Sequence, residues 1–173
     1  MIVSLPIISK QYFITDGQFL ITTVPATIHT VLGSCVSVCL WDRKLKMAGM
    51  NHYLLPGSTT SAAGNPNHGY TSIAMLIRSM VNRRAQIENM EAKIFGGCNS
   101  WRHDNSLFAV GKKNIEVANL LLREAGIKIT AQDTGGIYGR KIVFNTYTGK
   151  VKVHMLTKTA IEVNEDIYKG FSY

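Results

Sequence analysis

The sequence predicts an α+β fold: mixed or antiparallel sheets in a layered sandwich, with two main helices. Three observations carry this. The apolar patterns run in the order strands, helix, strand, helix, strands, which is not the regular alternation of a doubly wound parallel sheet. The chain has 173 residues, the length of one ordinary domain. Hydrophobic residues make up 46%, enough to bury a sizeable core.

The first clear strand is 36–41, where Val36, Val38 and Leu40 alternate with Ser37, Cys39 and Trp41. A turn at 42–45 leads to a second strand, 46–54, with Met50, His52 and Leu54 on one face. The stretch 57–69, GSTTSAAGNPNHG, has the Gly, Ser, Asn and Pro content of a loop. Tyr70, Ile73, Ala74, Ile77 and Val81 then recur at helical spacing, and Arg78, Arg83 and Arg84 suit a solvated helix C-terminus. A strand at 92–95 precedes a second helical stripe of Ile115, Ala118, Leu122 and Ala125, which Gly126 stops. Strands follow at 127–131, 141–145 and 150–156, the last two forming a hairpin around 146–149.

Composition narrows the function classes. Charged residues are 17%, against roughly 25% in a typical soluble domain. The net charge is nonetheless +8, because Lys and Arg number 19 and Asp and Glu 11. An acidic partner suits that balance. Nucleic acid is not expected: no recognition motif is present, and the aromatic content is an unexceptional 9%. Three cysteines, Cys35, Cys39 and Cys98, are too few and odd in number for a secreted disulfide framework. The stretch 17–41 has no charged residue, but Pro25, His29, Gly33 and its strand-like alternation argue against a membrane span. The N-terminus has no signal-peptide pattern. A cytoplasmic protein without membrane insertion is expected.

The chemistry concentrates at 29–56. A hairpin closed around Arg43 and Lys44 pairs Trp41 with Lys46 and Cys35 with His52. Directly opposed residues have Cβ atoms about 4.5–5.5 Å apart, near enough for a thiol and an imidazole to meet. A one-residue slip would send them to opposite faces. A cysteine beside a histidine is the minimal nucleophile and base. Cys35 follows Gly33-Ser34, a turn whose N–H groups suit an oxyanion hole. On these residues alone, a cysteine among valines is more often a small buried hydrophobe, and the histidine more often a satisfied core or surface residue.

The segments Thr30-Val31-Leu32-Gly33-Ser34-Cys35-Val36 and Gly49-Met50-Asn51-His52-Tyr53-Leu54-Leu55-Pro56 resemble the chemoreceptor glutamine deamidase family CheD. So do Lys93-Ile94-Phe95-Gly96-Gly97 with Asn99, the run GKKNI at 111–115, and Asp133-Thr134-Gly135-Gly136-Ile137-Tyr138-Gly139-Arg140. The resemblance covers 17–156, within one domain spanning 1–173, and leaves 157–173 as a tail. It implies hydrolysis of selected glutamine side chains on methyl-accepting chemotaxis receptors to glutamate and ammonia. Cys35 would be the nucleophile and His52 the general acid and base. Thr30 would orient His52, with neighbouring His29 a competitor for that role. Ser34, Asn51, Tyr138 and Arg140 would stand at the substrate. The resemblance also admits a regulatory adaptor role in which the chain acts mainly by binding a CheC-like phosphatase or a receptor.

The remaining candidates read as structural. Cys39 lies on the same strand face as Cys35 with Cα atoms about 13 Å away, too far for a disulfide, so it belongs to the core. Cys98 stands where a small packing residue suits the Gly-Gly motif. The glycine-rich turn before Tyr138 and Arg140 serves either as a plain turn or as part of a substrate cleft. His68, His103 and His154 show no zinc-ligand spacing, and no metal or organic cofactor is expected.

Overall fold

A computed structural model describes residues 10–58, 64–99 and 105–156. Part of the predicted 57–69 loop, His103 and the 157–173 tail lie outside the described residues. The architecture is α+β, as expected, in three layers. A four-stranded mixed sheet holds β1 (Lys10–Phe13), β3 (Ala26–Leu32), β8 (Gly139–Asn145) and β9 (Val151–Leu156) in that spatial order. A five-stranded sheet holds β2 (Phe19–Thr22), β5 (Met47–Asn51), β4 (Val36–Asp42), β6 (Met90–Gly96) and β7 (Lys128–Thr134). Pairing is antiparallel except for β1 with β3 and β6 with β7. The helices α1 (Gly69–Val81) and α2 (Asn105–Glu124) cover the outer face of the larger sheet.

β4 is buried on both faces, and its alternation separates two cores. Val36, Val38 and Leu40 pack with Ile73, Leu76 and Met80 of α1 and with Ala118 and Leu122 of α2. Cys39 faces the other way and joins Met50, Ile28, Leu32, Ile142 and Phe144 between the sheets. Cys35 lies at the margin of that inter-sheet core, partly buried. The predicted β8–β9 hairpin forms, pairing Phe144 with Val151. Among the described residues no helix is long and apolar enough to cross a membrane.

The β4–β5 hairpin differs from expectation by two residues. Trp41 pairs with Ala48 rather than Lys46, and Cys39 with Met50. The cause is Asp42. Its Oδ1 accepts the N–H groups of Lys44 and Leu45, both at 2.9 Å, so the turn starts one residue later and Asp42 stays in the strand. An isolated bridge between Val36 and Tyr53 continues that register. Cys35 and His52 are therefore diagonal rather than directly opposed. The displacement is even, so both keep the same sheet face.

Candidate functional site

The site forms where β3, the loop before β4 and the end of β5 meet at the margin of the inter-sheet core. β5 stops at Asn51 because a side chain replaces the backbone in the ladder. Asn51 Oδ1 accepts the Val38 N–H at 2.8 Å, and its Nδ2 donates to Ser72 Oγ at 3.0 Å. The next residue, His52, pairs its main chain with a different segment. Its N–H donates to the Gln18 carbonyl and its carbonyl accepts the Gly17 N–H, each at 2.9 Å. Residues 15–18 form a hydrogen-bonded turn with Gly17 at φ +72°, the left-handed position a type II turn requires. That turn carries Asp16 to the imidazole.

The imidazole is held from both sides. His52 Nδ1 is 2.8 Å from Thr30 Oγ1 on β3. The same hydroxyl donates to the Ile14 carbonyl at 2.8 Å. A carbonyl only accepts, so the one hydroxyl proton is committed there and Thr30 Oγ1 accepts the His52 Nδ1–H. The neutral ring then carries its proton on Nδ1 and leaves Nε2 bare. Nε2 is 3.1 Å from Asp16 Oδ1, yet it makes no aligned hydrogen bond. One side-chain ligand atom each from Asp16, Cys35 and His52 lies within 4.8 Å of the other two.

Electrostatics make the resting pair neutral. Burial lowers the His52 pKa, and the Asp16 carboxylate opposes it. Burial pushes the Cys35 thiol up to about 11; Asp16 and Cys98 push the same way, and the Cys35 backbone N–H opposes them. The proton therefore rests on sulfur, beside an unprotonated ring nitrogen. Such a pair can exchange that proton as the sulfur attacks.

Cys35, His52 and Thr30 are thus brought together. His29 is not. It alternates to the other face of β3, where its Nε2 meets Thr27 Oγ1 at 2.8 Å and its ring stacks on Phe13. Ser34 directly precedes Cys35 and is half-buried. Asn51 is fully buried on the face of β5 opposite His52, under α1. Arg140 is also buried; its guanidinium binds the Asp133 carboxylate and the carbonyls of Asp133, Gly135 and Tyr138. Those bonds fold the 133–139 turn, which rests on the site through Gly135 N–H to Gly96 O at 2.9 Å. Tyr138, on this turn, is exposed. Cys39 is buried in the inter-sheet core, and burial raises its pKa. The described residues contain no disulfide. His68 and His154 do not join a ligand cluster among the described residues.

Two contributors receive no role from the sequence, although Asn114 stands in the GKKNI run. Asp16 is remote from Cys35 in the chain and only the tertiary turn brings it near. Asn114, fully buried on α2, donates from Nδ2 to the Ser34 carbonyl at 3.0 Å and to the Leu54 carbonyl at 2.8 Å. It clamps the cysteine loop to the segment after the histidine. Tyr53 Oη donates to its main-chain carbonyl at 2.7 Å.

The motif glycines let these segments touch. Gly96 has φ +106°, and a Cβ there would overlap the Cys35 carbonyl oxygen. A Cβ on Gly111 of α2 would come 2.8 Å from the Gly97 carbonyl oxygen. Residues 54–155, which include this glycine framework, match the family model described as CheD chemotactic sensory transduction. The chain belongs to the CheD family. It is 42% identical over 152 residues to the probable chemoreceptor glutamine deamidase CheD of Sulfurimonas denitrificans, covering 87% of this chain and 97% of that protein. To the protein of the same description from Trichlorobacter lovleyi it is 38% identical, over 82% of this chain and 88% of that one. A solved structure, Bacillus licheniformis hypothetical protein YfiH, aligns with a TM-score of 0.47 at 17% identity, over 75% of this chain and 61% of that chain. In this CheD-family chain, Cys35, His52 and Thr30 precede the span that the family model matches, and the glycine framework that seats Cys35 lies within it.

Proposed function

We propose that this chain hydrolyses the side-chain amide of glutamines on chemoreceptors, giving glutamate and ammonia. The observation that carries the reading is the Thr30–His52 hydrogen bond, which leaves Nε2 bare next to a protonated thiol. The relatives described as probable chemoreceptor glutamine deamidases support the substrate class.

Cys35 Sγ attacks the carboxamide carbon as His52 Nε2 takes the thiol proton, so a thiolate need not accumulate first. The carbonyl oxygen gains the electron pair and is held by N–H groups of the turn at Ser34 and Cys35. His52 returns the proton to the nitrogen, the C–N bond breaks, and ammonia leaves behind a thioester. Water then attacks the thioester carbon while Nε2 accepts a proton. The C–S bond breaks, glutamate departs, and the thiol recovers its proton.

Thr30 keeps the ring in the tautomer these steps need. Asn51 and Arg140 act as struts beneath the site, because the Asn51 amide and the two terminal guanidinium nitrogens of Arg140 are occupied inside the protein. Tyr138 and Ser34 stand where a substrate reaches them. A free thiol requires a reducing compartment, which suits the cytoplasm.

The test is ammonia release from a purified receptor cytoplasmic domain. Wild-type chain should release it and Cys35→Ala should not. Release by Cys35→Ala at the wild-type rate would sink the mechanism.

A further inference from the structure

Asp16, Cys35 and His52 come from three separate segments and converge on one point. Their ligand atoms lie within 4.8 Å of one another, with His52 Nε2 to Asp16 Oδ1 at 3.1 Å. Tetrahedral zinc, with bonds near 2.0–2.3 Å, sets its ligand atoms about 3.3–3.8 Å apart, inside that range. His52 is 3% exposed, and its buried Nε2 makes no hydrogen bond. We propose that Asp16, Cys35 and His52 form a binding site for a thiophilic divalent cation, Zn²⁺ above all.

The donor set selects the metal. A thiolate sulfur and an imidazole nitrogen favour Zn²⁺ over Mg²⁺ or Ca²⁺, which need oxygen ligands. The tautomer is already correct: Thr30 holds the Nδ1 hydrogen, the outer hydrogen bond that zinc-binding imidazoles use. The backbones are fixed. The 15–18 turn is bonded to the His52 main chain, and the Cys35 carbonyl accepts the Gly97 N–H at 2.7 Å. Asp16 is 57% exposed, so an ion reaches the site from solvent without opening the core. On binding, the Cys35 S–H bond breaks, a Zn–S bond forms and the proton leaves to water; nothing is oxidised or reduced. A water completes the coordination. If the deamidase reading holds, the metal occupies the nucleophile and its base together and switches the reaction off.

The test is titration of the full chain with Zn²⁺ against a chromophoric chelator, with Co²⁺ absorption as a second readout. Wild type should bind one equivalent that excess Mg²⁺ does not displace. Its Co²⁺ form should show a thiolate charge-transfer band that Cys35→Ser lacks. Asp16→Asn, a change on an exposed turn, and His52→Gln should each weaken Zn²⁺ by at least about tenfold, and Thr30→Val by about 10–100-fold. Equal affinity in Asp16→Asn and wild type, or a charge-transfer band that persists in Cys35→Ser, would overturn the proposal. The titration contains no receptor, so its outcome is independent of whether the chain deamidates.

Discussion

Thr30 donates its one hydroxyl proton to the Ile14 carbonyl, and that choice decides what His52 can do. Thr30→Val keeps the shape and removes both bonds. It should lower kcat by about 100-fold, the lower end of the roughly 10²–10⁴-fold that a positioned general base supplies. It should also cost about 1–3 kcal/mol of stability, since the Ile14 carbonyl and Nδ1 lose their partners. Steady-state kinetics beside a denaturant melt would separate the two effects. The pH profile follows from burial. His52 sits below its ordinary value of 6.5, so the base form, and with it the rate, should persist below that pH before falling. Asp16 raises both pKa values, so Asn at position 16 should move the acid limb to still lower pH and speed Cys35 alkylation by iodoacetamide at a fixed pH. Slower alkylation in Asp16→Asn would contradict the electrostatics. Cys35 and His52 were legible in the sequence because the alternation of the hairpin beside them can be counted, whereas Thr30, on β3 of the other sheet, came from the family resemblance. Asp16 was not, because the turn between β1 and β2 delivers it and no local pattern announces the meeting.

At the scale of elements, α2 does more than cover the sheet. Asn114 bonds the carbonyls of Ser34 and Leu54 and so sets the spacing between the cysteine and histidine segments. Asn114→Ala should leave those buried carbonyls without their donor and cost about 1–3 kcal/mol. It should lower kcat more than it changes KM, read in the same kinetic assay. Unchanged kcat would mean the loop before β4 holds its place without the clamp. The first turns of α2 escaped the sequence reading because Gly111 and the polar residues around it blur the stripe. Gly111 is there for close approach to Gly97, a tertiary need that overrides helix propensity. β1 and β2 were missed for a related reason: each has four residues, β1 mostly exposed and β2 half-buried throughout, so neither shows alternation. The hairpin register slipped by two because Asp42 caps the turn through its side chain. Only the parity of that register mattered to the site, and parity was right.

For the whole molecule, the three layers place Cys35 at the margin of the inter-sheet core rather than on the helical face. Phe144, fully buried between the sheets, anchors that core. Phe144→Ala should cost about 3–5 kcal/mol, seen as a lower denaturant midpoint with an unchanged slope. A smaller loss would show that the sheets close over the gap. The +8 charge suits docking to an acidic protein surface. The scarcity of acids makes Asp16 stand out, since it is the carboxylate beside the thiol and imidazole. The most direct measurement of the central claim is peptide mass spectrometry of a receptor cytoplasmic domain after incubation with the chain. Discrete glutamines should become glutamates with wild type and remain amides with Cys35→Ala. Conversion of the same glutamines by Cys35→Ala, or none by folded wild type, would contradict it.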